Sequence, residues 1–168
     1  MNKTLKLYAT TFTEPRTYIV ATLFIAGNIV LPQLLHLVPQ GGATWLPIYF
    51  FTLVGAYKYG WRAGLLTALL SPLLNTWLFS MPPAQALPTI ILKSTLLAIS
   101  AAAAAQHLKK ITITALLTVV LTYQTLGTLG EWALTQNLNT ALQDFRIGLP
   151  GMTLQVIGGY VVLKHLLR

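Results

Sequence analysis

Leu53-Val-Gly-Ala-Tyr-Lys-Tyr-Gly-Trp-Arg-Ala-Gly64 joins two apolar stretches through a short turn that carries Lys58, Gly60 and Arg62. Basic residues are held on the cytoplasmic side of a bilayer, so this turn is expected inside. The same pattern repeats outward along the chain. Lys3, Lys6 and Arg16 precede the first apolar stretch, Lys109 and Lys110 follow the fourth, and Lys164 and Arg168 close the last. The alternate connections carry almost nothing positive: residues 39–44 and 80–86 are uncharged, and residues 134–147 hold one Arg146 balanced by Asp144. The alternation predicts about six crossings with both termini cytoplasmic.

Composition leads to the same class. With 55% hydrophobic and only 8% charged residues, and a mean hydropathy of +0.66, the chain lacks the charged exterior that a soluble domain of this length needs. A lipid bilayer is the expected solvent, and the bacterial cytoplasmic membrane the expected location. The net charge of +8 does not point to nucleic acid, because the cations stand singly or in pairs at helix ends and form no stripe that could track phosphates. The absence of cysteine excludes disulfides, thiolate metal sites and cysteine nucleophiles. The first apolar run follows a polar leader and contains Asn28 and Pro32, so it is expected to stay as a helix rather than be cleaved as a signal.

About twenty residues span the hydrocarbon core. On that measure the expected helices are 17–37, 45–57, 63–79, 87–106, 111–131 and 148–166, one all-α membrane domain over residues 1–168. The second is short for a crossing and is expected to be shielded by its neighbours. Leu46-Pro47, Leu87-Pro88 and Leu149-Pro150 would open helices two, four and six at one membrane face, since proline suits the first turn, where its missing N–H costs nothing.

Polar groups inside a bilayer are costly and need a partner or a function. At 1.5 Å per residue from those helix ends, Asn28, Asn75, Lys93, Gln124 and Gln155 fall about 9–14 Å below the outer surface, with Glu131 near the rim. Within helices the polar residues share faces: Thr67, Ser71 and Asn75; Thr89, Lys93 and Ser100; Gln124, Thr128 and Glu131. A shared depth on five helices predicts an outward-opening pocket, with Asn75, Lys93, Gln124, Glu131 and Gln155 as its binding residues. Lys93 would meet a carboxylate or phosphate and Glu131 an amine, or the two would pair with each other. The competing account is that the amides and hydroxyls tie helices together and that Lys93 snorkels. Trp45, Trp77 and Trp132 fall at outer helix ends, where an aromatic belt is expected.

Catalytic patterns are missing: no nucleophile constellation, no metal-ligand spacing and no Gly-x4-Gly-Lys-Ser/Thr loop. The chain is expected to be no enzyme and to need no cofactor. The run from Leu53 to Gly64, followed by Ser71-Pro-Leu-Leu-Asn75 and Leu78-Phe-Ser-Met-Pro-Pro83, resembles the helix 2 to loop 3 region of S components of energy-coupling factor (ECF) transporters. That resemblance implies a small six-helix subunit, N-in and C-in, that captures a water-soluble vitamin or precursor in an outer pocket. It implies a lid between helices 1 and 2, here residues 39–44 with Gly41 and Gly42, and partners in a transmembrane T component and two ATPases. Docking would use a small-residue face of helix 1, for which this chain offers Thr22, Ala26 and Gly27 in place of a strict Ala-x3-Ala. Two other classes compete: a scaffold of the rod-shape type, which needs no pocket, and a stand-alone ion-coupled carrier, which wants an acid in mid-membrane.

Overall fold

A computed structural model describes residues 10–166, and its described residues are all-helical apart from turns. Lys3, Lys6 and Arg168 lie outside them. The α-helices are α1 (Pro15–Leu35), α2 (Gly41–Trp45), α3 (Phe50–Tyr59), α4 (Trp61–Phe79), α5 (Leu87–Leu108), α6 (Ile113–Thr135), α7 (Leu138–Ala141), α8 (Gln143–Ile147) and α9 (Leu149–Val161). One-turn 3-10 segments lead into α3 and α5, and a π-helical segment, Val162–Leu166, continues α9. Each of the six expected segments is helical. Three of them are long and apolar enough to cross a membrane: α1, α5 with its 3-10 lead-in, and α6.

The distribution of polarity is inverted relative to a soluble bundle. Ile19, Leu23, Val30 and Leu34 of α1, Leu70, Leu73 and Trp77 of α4, and Leu117, Leu121 and Leu129 of α6 are exposed. Asn28, Thr67, Ser71, Asn75, Lys93, Gln124 and Gln155 are buried. Apolar side chains outward and polar ones inward is the arrangement that lipid stabilises, because an unpartnered polar group costs more in hydrocarbon than in water.

At the centre stands α3. Residues 52–58 are all buried, and Leu53, Val54, Ala56 and Tyr57 have no exposed surface. Its neighbours α1, α4, α5 and α9 surround this short segment, as the sequence led one to expect. The expected start at Trp45 is displaced. Trp45 ends α2, Leu46 turns the chain with φ 47°, and Pro47 opens the 3-10 turn before α3. Pro88 and Pro150 occupy first turns of α5 and α9 as expected. Gly60, at φ 87°, makes the reversal between α3 and α4 in a conformation that side chains resist.

Cross-links identify the two ends of the bundle. At one end the Tyr57 hydroxyl donates to the Lys110 carbonyl (2.7 Å) and Arg62 to the Thr10 carbonyl (3.3 Å), so the α3–α4 and α5–α6 turns lie beside the N-terminal segment. The loops that follow α1, α4 and α6 gather at the other end. The third of these is not the plain loop that the sequence suggested, because α7 and α8 lie within it; Asn137 caps α7 by accepting from the Thr140 N–H (3.2 Å).

Candidate functional site

At the loop end a cavity of about 630 Å³ opens among α1, α2, α4, α5, α6 and α8. Pro32, Pro47, Ile48, Met81, Pro82 and Ile90 supply apolar wall, and Tyr49 an aromatic one. Asn75, Lys93, Glu131 and Asp144 supply its principal polar groups. A volume of this order suits a small organic molecule.

Lys93 is the centre of the site. It projects from α5 with 2% of its surface exposed. The helix opposite makes room for it with a glycine: a Cβ on Gly127 would stand 2.6 Å from Lys93 Cγ. Gly130, one turn on, accommodates Leu92 in the same way. These two glycines let α5 and α6 approach closely and steer the lysine toward the cavity. Its ammonium lies 2.5 Å from Glu131 Oε2 and 2.7 Å from Asp144 Oδ2. Both contacts are charge-assisted, and the Asp144 contact has the better-aligned hydrogen bond. Of the alternatives open for Lys93, pairing is the one observed, and snorkelling is not. Sequence spacing missed Asp144, which had seemed to be a loop residue balancing Arg146. Its position depends on α7 and α8 folding the connection back over the bundle.

Asn75 is 1% exposed and also lines the cavity. Its amide nitrogen donates to the Asn28 and Ser71 carbonyls, both at 2.9 Å, while Oδ1 has no partner. Asn28 itself is fully engaged. Its Nδ2 donates to Thr52 Oγ1 (3.0 Å) and Ser71 Oγ (3.3 Å), and its Oδ1 accepts from the Phe51 N–H (3.1 Å). Asn28 therefore clasps α1, α3 and α4 and orients Asn75 from behind, the helix-tying role weighed for such residues.

Gln124 and Gln155 are not brought to the cavity. Both are fully buried and neither lines it. Gln155 Oε1 accepts from the Tyr123 hydroxyl at 2.8 Å, and Tyr123 in turn packs on Tyr49, ring centroids 5.6 Å apart. Gln124 has neither amide atom paired. A similar distance from the helix ends does not make a common cavity: Glu131 lines it, while Gln124, on the same face of α6 about two turns farther from the loop end, does not. The faces were read well, but two of the five polar groups point into a separate layer of the core.

Gly41 and Gly42 open α2 rather than form an extended flap. A Cβ on Gly41 would collide with the Leu35 carbonyl, and one on Gly42 would stand 2.5 Å from His36 Cε1. Close approach of the chain is what these positions require, and neither adopts positive φ. Gly42 lines the cavity. Of the three small residues on α1, Thr22 and Ala26 are exposed, while Gly27 turns partly inward, a Cβ there falling 2.7 Å from the Phe51 ring. Trp77 and Trp132 are exposed at the loop-facing ends of α4 and α6. Set against protein-family models, curated proteins and solved structures, the chain finds no match.

Proposed function

We propose that this chain is a membrane-embedded substrate-binding subunit of the ECF S-component type, which captures a water-soluble vitamin or similar small nutrient and hands it to a transport machine. The observation that carries the reading is the cavity of about 630 Å³ with Asn75, Lys93 and Glu131 among its lining. Charged side chains gathered with Asn75 on one cavity, inside a bundle whose exterior is apolar, are the feature that a polar ligand would use. Of the described basic residues, Lys93 and Arg146 lie at the cavity end together with the acids Glu131 and Asp144, whereas Lys58, Arg62, Lys109, Lys110 and Lys164 belong to the opposite end. By the positive-inside rule that end is cytoplasmic and the cavity opens outward.

In this reading six helices cross the bacterial cytoplasmic membrane with both termini inside. Residues 39–44 flank the cavity mouth as its lid, and the exposed α1 face with Thr22 and Ala26 meets a T component. No sequence motif for nucleotide binding is present, so two partner ATPases supply the energy. The isolated chain binds its nutrient but does not accumulate it.

Native mass spectrometry of the purified protein, followed by a thermal-shift screen of vitamins and their precursors, tests the proposal. A ligand that binds only the folded state raises its apparent stability. Failure of every compound to bind or co-purify would favour the scaffold reading, and concentrative uptake by the chain alone in liposomes would favour an ion-coupled carrier. Orientation is tested separately with cysteines at the exposed positions Ala84, Asn139, His107 and Lys109. The first two should react with an impermeant thiol reagent from outside intact cells and the last two should not.

A further inference from the structure

The charge balance of the cavity narrows what it can hold. Among its lining residues the formally charged side chains are Lys93, Glu131 and Asp144, one cation against two anions. Both carboxylates are already within 2.7 Å of the one ammonium. Lys93 therefore has little left to offer a ligand anion, while the carboxylates together keep acceptor capacity that a single ammonium cannot fill. Glu131, 9% exposed, meets Lys93 through Oε2, which leaves its other carboxylate oxygen outside that ion pair. A second feature calls for a hydrogen-bond donor, which an amine N–H supplies: Asn75, 99% buried against the same cavity, spends its nitrogen on backbone carbonyls and leaves the acceptor Oδ1 unpartnered. Tyr49 adds an aromatic wall next to the acids, a surface that attracts cations.

We infer that this cavity selects a small organic cation, a protonated amine or positively charged nitrogen heterocycle, held by the surplus carboxylate around Lys93 and by Asn75 Oδ1. The inference rests on the cavity being a ligand site, as proposed above, and adds the ligand's charge class. Lys93 acts within it as an internal counter-ion. It keeps the two carboxylates together in the absence of ligand and reduces their joint charge to one formal negative unit. A ligand cation then neutralises that unit and an N–H of the ligand reaches Asn75. A carboxylate or phosphate ligand would instead bring a further negative charge beside two that are already there. The sequence alone left Lys93 open to a ligand anion or to Glu131, and the second carboxylate, Asp144, is what the fold adds.

The test uses three probes of nearly equal shape: benzylammonium, benzyl alcohol and benzoate. Each is titrated near neutral pH into the full chain in an uncharged maltoside detergent, with binding read by ligand-observed NMR and by thermal shift. The expected result is saturable binding of benzylammonium at least tenfold tighter than either of the other two. In Asp144→Asn the lysine keeps Glu131 and the cavity becomes formally neutral, so the cation's advantage should fall by about tenfold or more, the scale of one charge-assisted hydrogen bond. Equal binding of the three probes, preference for benzoate, or a cation preference that survives in a folded Asp144→Asn would overturn the inference while leaving the cavity a binding site. If none of the three binds the wild-type chain saturably, the inference falls, and the binding-subunit reading stands or falls separately by the vitamin screen. Should Asp144→Asn fail to fold, the wild-type ranking of the three probes decides by itself.

Discussion

Replacing Lys93 by methionine keeps most of the unbranched stem and removes the charge that holds two carboxylates together. Glu131 Oε2 and Asp144 Oδ2 touch the same ammonium at 2.5 and 2.7 Å, so the two oxygens can be no farther apart than those distances end to end. At roughly 5 Å and an effective dielectric of about 20, two unit charges repel by about 3 kcal/mol. Lys93→Met should therefore destabilise the protein by about 3 kcal/mol, within the range for breaking a buried ion pair by removing one partner. Removing either acid is a different perturbation. In Glu131→Gln the lysine keeps Asp144, and in Asp144→Asn it keeps Glu131, so each should cost only about 1 kcal/mol, the net value of an ordinary polar contact. The double variant Lys93→Met/Glu131→Gln relieves the repulsion and should recover half or more of the loss, a coupling that a double-mutant cycle isolates. Equilibrium unfolding in mixed micelles, with circular dichroism to confirm the folded helical state, measures the wild type and all four variants. The reasoning is refuted if Lys93→Met is as stable as wild type to within about 0.5 kcal/mol, or if each single acid substitution costs as much as loss of the lysine.

Other substitutions separate framework from site. Asn28→Leu strands the Phe51 N–H and the Thr52 and Ser71 hydroxyls inside the bundle and should cost about 1–3 kcal/mol in the same unfolding assay. Gly41→Ala drives a methyl into the Leu35 carbonyl and should cost about 1–3 kcal/mol; an unchanged melting temperature would mean that α2 is free to shift and that close packing does not explain the glycine. Asn75→Ala should weaken binding of whichever ligand the screen identifies. Gln155→Leu, outside the cavity, should alter stability through the lost Tyr123 hydrogen bond and leave affinity within about twofold, as titrations on both variants would show.

The local features of the fold were legible because they arise from local physics. Runs of apolar residues, prolines in first turns and the glycine between Lys58 and Arg62 marked all six principal helical segments, and the spacing of Thr67, Ser71 and Asn75 correctly gave a buried face of α4. Sequence hydropathy also explains why Ile19, Leu23 and Leu121 face outward: among helices with this composition the scarce polar groups have only one another to pair with. What periodicity does not contain is how the helices are set against one another, along their axes as well as around them. Glu131 lines the cavity, whereas Gln124, on the same face of α6 but about two turns farther from the loop end, does not, and neither does Gln155. Tertiary structure also decided the state of Lys93. An aspartate fifty-one positions away reaches it only because α7 and α8 fold the last connection across the end of the bundle, and two carboxylates on one lysine change what the cavity can attract. The charge of each residue is written in the sequence; which charges neutralise one another is set by distances of a few ångströms, and those exist only once the helices have packed.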